Sequence, residues 1–487
     1  MSGWGLVVSV DAMRMGRWES GQAPTYGGGM SETALTPANE NPWYVLMTLY
    51  GEQTGEEVDW SLHQKNRAAW NAWSCQAMTA EVQAAVAGSS KVSEPEWRAW
   101  EELQGEIAAK HKAAMLARNG AGFAYPGLPD VASDVDLESV HFERLVVLNH
   151  AVFSKTVRFD GATFGGDAVF NSAIFSGDVW FGSATFGGAA SFNSAIFSVD
   201  ARFDQARFSG DAWFSFATFG GAASFNSATI GGIGWFASAK FSGIAWFVST
   251  TFSGDAVFRS VTFSEFTDFS VAQFGSAVGA SEFSFRDCQF LKPTNFRAAT
   301  FHTSYPNFAG SILHDKTTFT ADHAYWPKGG QADPIQAKAS CAVIRHNFGK
   351  QGLPEEEHFF YRREMGFAGQ SGPVLQRPLY WVFGWLSDYG YAILTPTLWL
   401  AVLIEGGTWA IAWGLAGTAQ PVGFGEAIGV SSANVLSFLG FHKTFLDPAF
   451  MQNLPQWLKV VSAMQAILGV VFLFFLGLGL RTRFRLR

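Results

Sequence analysis

Phenylalanine recurs through the middle of this chain at steps that alternate between five and six residues. From Leu137 the positions run Phe142, Leu148, Phe153, Phe159, Phe164, Phe170, Phe175, Phe181, Phe186, Phe192, Phe197, Phe203, Phe208, Phe214 and Phe219, and they continue to Phe269 and Phe274. Of 26 consecutive positions only Leu137, Leu148 and Ile230 are not Phe, and all three are apolar. Two residues before each stands Ala in 17 of the 26 cases and Val, Thr or Gly in the others, so a small partner accompanies every large one. A repeat this regular requires a stack of like units.

The unit is eleven residues, as in Ala168 to Asp178. An eleven-residue period also belongs to right-handed coiled coils. Here, however, the units carry Gly-Gly, Ser-Gly or Ser-rich pairs (Gly165-Gly166, Ser176-Gly177, Gly187-Gly188, Ser209-Gly210). Each Gly costs a helix about 1 kcal/mol, so a long helix is excluded. In an extended Ala-x-Phe the outer two residues share one side of the chain. Ala and Phe then face inward, and the middle residues (Thr163, Ser191, Arg202, Arg207) face out.

A small residue two places before a central Leu or Phe resembles the pentapeptide-repeat family, over residues 135–320. The resemblance implies a mainly β fold, a right-handed quadrilateral β-helix (pentapeptide-repeat solenoid) with four units per coil. Every second unit here has six residues, so a coil takes 22, with the added residues at two opposite corners. Gly is expected there to permit a wider turn. The register slips near Phe285–Phe290 and again before Phe308 and Phe319. About eight coils follow, on the order of 40 Å at roughly 4.8 Å each.

The flanks divide the rest. Residues 1–39 read as a poorly ordered N-terminus, 40–130 as a helical cap, 131–325 as the β-helix, 326–376 as a helical linker and 377–487 as a membrane hairpin. Ser93 and Glu96 form a capping box ahead of Trp97, Trp100 and Ile107, and Gly120 closes that helix. Asn41 to Tyr44 and Asn66 to Asn71 resemble N-terminal helices that precede some pentapeptide rods; they are expected to cover the open edge of the first coil. Asp333-Pro334 and Pro354 open two further helices.

Residues 391–415 and 457–480 are each long and apolar enough to cross a bilayer core of about 30 Å. Arg362, Arg363 and Arg377 precede the first, Arg481, Arg483, Arg485 and Arg487 follow the second, and Lys443 lies between. That asymmetry predicts a multi-pass membrane protein with the rod and both termini in the cytoplasm, and the resemblance implies the inner (cytoplasmic) membrane of a bacterium. The run Leu6 to Val10 is too short for a signal-peptide core, so no export is expected. The hairpin resembles the C-terminal region of membrane-attached bacterial pentapeptide-repeat proteins. Ser431 to Gly440 reads as a short amphipathic helix between the spans, the layout of pore-loop channels, but the Thr-Val-Gly-Tyr-Gly filter is absent.

Three scattered cysteines (Cys75, Cys288, Cys341) form no disulfide framework. A net charge of −8 with 15% charged residues offers no dominant basic surface, so no nucleic acid is expected as partner. Glu405 inside the first span is the candidate intramembrane functional residue, a pore or proton-relay group. The alternative is that the span ends near Ile404 and that Gly406-Gly407 lies at the interface. Asp167, Asp211 and Asp255 recur every second coil, with Asp178 and Asp200 in equivalent places. They form either an acidic ridge imitating DNA phosphates or turn residues bonded to their own backbone. His302, His314 and His323 match no metal-ligand spacing, the glycine pairs no phosphate loop, and no nucleophile–base pair stands out. No cofactor, no metal and no catalysis are expected. The sequence reads as a membrane-anchored cytoplasmic scaffold for an unidentified protein partner. A channel or transport protein gated by the rod, with a homo-oligomer formed through the hairpin, and a topoisomerase-binding DNA mimic remain the alternatives.

Overall fold

The computed structural model describes residues 35–55, 57–76, 78, 99–120, 122–275, 281–328, 333–417, 421–437 and 454–484. The Ser93–Glu96 capping box, Trp97 and residues 1–34 of the N-terminal stretch lie outside them.

Residues 135–319 wind into a parallel β-solenoid of about eight turns. One coil shows the plan: Val157–Arg158, Thr163–Phe164, Ala168–Val169 and Ile174–Phe175 are two-residue strands, one on each of four faces. Each strand pairs in parallel with its equivalent one coil on, Val157 with Val179 and Thr163 with Thr185. Strands this short survive because their N–H groups are satisfied by the next coil or the last: Val157 donates to Asp178 (2.9 Å) and Thr185 to Ala162 (2.8 Å).

The inward expectation holds. Phe159, Phe164, Phe170 and Phe175 are buried to 0% exposure, as are Ala162, Ala168 and Ala173. Each ring stacks on its counterpart in the next coil, Phe159 on Phe181 at 4.6 Å and 2° and Phe170 on Phe192 at 4.9 Å and 1°. Across the axis, the rings of opposite faces meet edge to face, Phe159 against Phe170 at 5.8 Å and 78°. Burying each ring stabilises by about 2 kcal/mol, and the ring contacts add to it.

The corners differ from expectation. The left-handed residues sit in the five-residue units and are mostly serines: Ser172, Ser183, Ser194 and Ser227, with Gln205 and Phe216 in the same role (φ 56–59°). The turn Phe170–Ala173, closed by Ala173 N–H donating to Phe170 O (3.1 Å), takes its positive φ at the third residue, Ser172. The glycines of the six-residue corners have ordinary φ; what they supply is room. A Cβ on Gly177 would lie 2.6 Å from the backbone of Lys155 in the coil below. Near residue 276 one coil gains five residues, yet Phe285 still stacks on Phe258 at 5.1 Å.

Both ends of the rod are closed. Within the stretch read as poorly ordered, β1 (Thr36–Pro37) adds a strand beside Val140–Phe142. Helices α1 (Pro42–Met47) and α2 (Trp60–Cys75) cover the first coil, and α3 (Trp100–Asn119, ended by Gly120) packs on both. Trp70 packs on Phe153 at 5.3 Å, and Tyr44 on Phe142 at 5.2 Å. Asn71 completes the open edge: its Oδ1 accepts from Val152 N–H (2.9 Å) and its Nδ2 donates to His150 O (3.1 Å). At the far end Trp326 stacks on Phe301 at 5.2 Å, continuing the column. Helices α4 (Pro334–Gln351) and α5 (Pro354–Ser371), read from sequence as a linker, lie against the last coil. Gln336 donates to Tyr305 O (2.8 Å), Asn347 to His314 O (3.1 Å) and Gln351 to Thr317 O (2.7 Å), and Ser340 Oγ bonds Pro306 O.

Candidate functional site

The rod presents its outward positions in straight columns, because each coil repeats the one before. On one face Trp180 is held between Arg158 (5.1 Å) and Arg202 (5.3 Å). On the opposite face Trp213 stacks on Trp235 at 5.6 Å, and Phe216 at the adjoining corner is 65% exposed. Aromatic side chains beside arginines are the composition that protein interfaces favour.

The acidic corners have a structural task. Asp167 Oδ1 accepts from Ala189 N–H (2.8 Å), Asp211 Oδ1 from Ile233 N–H (2.8 Å) and Asp255 Oδ1 from Glu282 N–H (2.8 Å). Asp178 and Asp200 do the same for residues 200 and 222 on the opposite corner. Each carboxylate therefore ties its coil to the next, not to its own backbone as the turn expectation had it. Ala189 and Ile233, which interrupt the acidic line, are the donors.

The three histidines do not converge on a metal site. His314 caps a turn by accepting from Lys316 N–H (3.1 Å), and His323 Nδ1 meets Arg363 Nη2 at 2.8 Å. Burial first, then Arg363, holds the His323 pKa below its ordinary value. Among the described residues no three His, Cys, Asp or Glu side chains are grouped to hold a metal. Cys288 and Cys341 are buried, which pushes each thiol up to about 12.

The C-terminal region contains α6 (Arg377–Ser387), α7 (Leu394–Leu415), α8 (Phe424–Val435) and α9 (Gln456–Phe484). Helices α7 and α9 are long and apolar enough to cross a membrane. Helix α7 continues unbroken through Gly406 and Gly407, so Glu405 stands at its middle and not at its end. Its side chain is exposed, in a stripe with Leu398, Val402, Trp409 and Trp413. Helix α8 packs against both long helices. Polar side chains are buried there among apolar ones: Gln465 Nε2 donates to Leu403 O and to Ser431 Oγ (both 2.8 Å), and Asn434 Nδ2 donates to Gln465 Oε1 (3.2 Å). Ser431 Oγ donates to Ile404 O (2.7 Å). A side chain at Gly407 would collide with Gln465, and one at Gly469 with the Val435 backbone. Sequence reasoning did not join Gln465 to Asn434. A glutamine and an asparagine inside otherwise apolar helices were the available signal.

The rod's cap and the hairpin meet at the α6–α7 turn. Asp388, Tyr389 and Gly390 are all left-handed (φ 47°, 53° and 85°). Asp388 Oδ2 accepts from Arg362 Nη2 (2.6 Å) and lies 3.4 Å from His358 Nε2. The His358 and Tyr391 rings stack at 3.9 Å. Since α5 also touches the last coil through Phe360 and Trp326 (5.0 Å), one helix bridges solenoid and hairpin. Arg362 had entered the sequence argument only as a positive charge.

The family model described as pentapeptide repeats matches the chain in nine copies, among them residues 137–185, 148–196, 170–218, 181–229 and 203–251. No curated protein and no solved structure matches the chain significantly.

Proposed function

The chain is a pentapeptide-repeat protein carrying two helices long and apolar enough to cross a membrane, and from that premise we propose that it is a membrane-tethered scaffold. The rod would be held beside the inner membrane of a bacterium, in the cytoplasm, to bind another protein through its outward columns. The observation that carries the tether is the exposure of apolar side chains on α7 and α9, among them Leu398, Val402, Ile467, Val470 and Phe474. A helical core of a soluble domain would hide them. Arg362, Arg363 and Arg377 on one flank and Arg481 and Arg483 on the other support a cytoplasmic rod. The Trp213–Trp235 stack with Phe216, and the Arg158–Trp180–Arg202 sandwich, are the surfaces this reading offers to a partner.

The test uses the full-length protein in cells. Carbonate washing should leave it in the membrane fraction, and protease added outside spheroplasts should spare the rod. Extraction by carbonate would remove the tether, and external digestion would reverse the orientation.

Glu405 favours a second reading. A carboxyl group at mid-span on an outward face is costly in hydrocarbon, which suits an assembly whose hairpins surround a pore. Ion flux from proteoliposomes that Glu405→Ala alters would support it; flux indistinguishable from empty liposomes would leave the scaffold.

A further inference from the structure

A cavity of about 750 Å³ opens between α5, the α6–α7 turn and the last turns of α9. Two guanidiniums line it, Arg345 and Arg481, against one carboxylate, Glu357. Arg345 is tied to Glu364 (2.7 Å), which fixes it in place and offsets its charge, so Arg481 is the main cation offered to the cavity. Arg481 is exposed and has no ion-pair partner among the described residues. Tyr361 and Tyr389 add phenol hydroxyls. Burial holds both phenols above their ordinary pKa, so they remain protonated donors. Leu478, one turn before Arg481 on α9, supplies an apolar wall.

The α6–α7 turn is built around this space. Its three successive left-handed residues bring Tyr389 and Gly390 to the lining, and a Cβ on Gly390 would lie 2.7 Å from Leu478. Backbone held in such sparsely populated regions is retained where the surroundings demand it, often at binding sites. The cavity also adjoins the ends of both long apolar helices, the level at which lipid head groups meet a spanning protein.

We propose that this cavity binds a phosphate group, presented by an anionic lipid head group or by a free phosphate. Guanidinium forks and neutral hydroxyls are the donors that phosphate oxygens take, and Glu357 disfavours a second negative charge beside the first. The lipid source rests on the membrane reading above; the phosphate site does not.

Full-length protein reconstituted in nanodiscs of mixed phosphatidylglycerol and phosphatidylcholine, then released for native mass spectrometry, separates these cases. The same protein in detergent is titrated with inorganic phosphate and its melting followed. Phosphatidylglycerol retained over phosphatidylcholine, weakened about tenfold by Arg481→Gln and restored by Arg481→Lys, would identify a head-group site. A rise in melting temperature with phosphate that Arg481→Gln abolishes, without lipid retention, would identify a free-phosphate site. That result together with failure to enter nanodiscs would keep the site and discard the tether. Neither lipid preference nor phosphate response, in protein that inserts and melts cooperatively, overturns the proposal.

Discussion

The rod and the hairpin dispose their polar and apolar side chains differently. In the rod the buried column is Phe and Ala, and Thr163, Arg202 and Arg207 face outward. In the hairpin the buried centre holds Gln465, Asn434, Ser431 and Thr408 beside apolar Ile411, Leu458 and Phe472, while Leu398, Trp413 and Ile467 face outward. The rod removes apolar surface from water by its own winding; the hairpin leaves that surface for its surroundings to cover. The polar contacts are also used differently. Asn71 and Gln336 finish edges that would otherwise pair with another chain, whereas Gln465 fastens three helices to one another.

Reversing the character of a central side chain in each region breaks this contrast most directly. Phe214→Asp should abolish cooperative melting of the rod and its β circular dichroism, because an unpaired buried carboxylate costs several kcal/mol. An unchanged spectrum and melt would remove Phe214 from the core. Gln465→Leu should cost less, about 1–3 kcal/mol, since Asn434 and the Leu403 carbonyl lose a partner. It should loosen the hairpin, seen as faster proteolysis between α7 and α9, and leave the rod's melt in place. Loss of rod structure would show that the two regions fold as one unit.

Acid should separate the N-terminal cap from the coils it covers. Burial, with Arg67 nearby, lowers the His63 pKa from 6.5 to about 4, and burial lowers that of His111 as well. A depressed folded pKa means stability that is present above pH 6.5 and is lost as pH falls toward 4. Hydrogen exchange in α2 and α3 should therefore quicken across that window before exchange in the middle coils does; uniform behaviour would contradict it. The smallest effect belongs to a single corner. Asp211→Ala removes one acceptor from the Ile233 N–H and should lower stability by about 1 kcal/mol. A melt indistinguishable from wild type would make the corner carboxylates ornamental to the fold.

The solenoid was legible because its signal is spread over many repeats and each Phe position answers one local question, inward or outward. The corners were less legible. Gly165-Gly166 and Ser176-Gly177 suggested conformational freedom, but the constraint at Gly177 comes from Lys155, 22 residues earlier, and a five-residue motif does not display that distance. The role of Ser172 in the left-handed region was hidden for a related reason: serine is common everywhere in this chain. Helices α4 and α5 could be read as helices from Asp333-Pro334 and Pro354, but not as a lid, since their partners are the backbone carbonyls of Tyr305, His314 and Thr317. In the hairpin Glu405 was visible as a charge among apolar residues. The Gln465–Asn434–Ser431 cluster joins parts of the chain about thirty residues apart and carries no local pattern.

In the first half of the rod the ring planes of neighbouring coils lie within a few degrees, as Phe164 and Phe186 do at 2°, so one coil there is almost a pure translation of the last. The rod is then a ruler graduated in 22-residue steps. Removing one graduation from its middle would carry the N-terminal helices about 5 Å nearer the hairpin without turning either end. The distance between whatever meets α1–α3 and whatever meets the hairpin can be reset by deletion or duplication alone, with both terminal lids untouched.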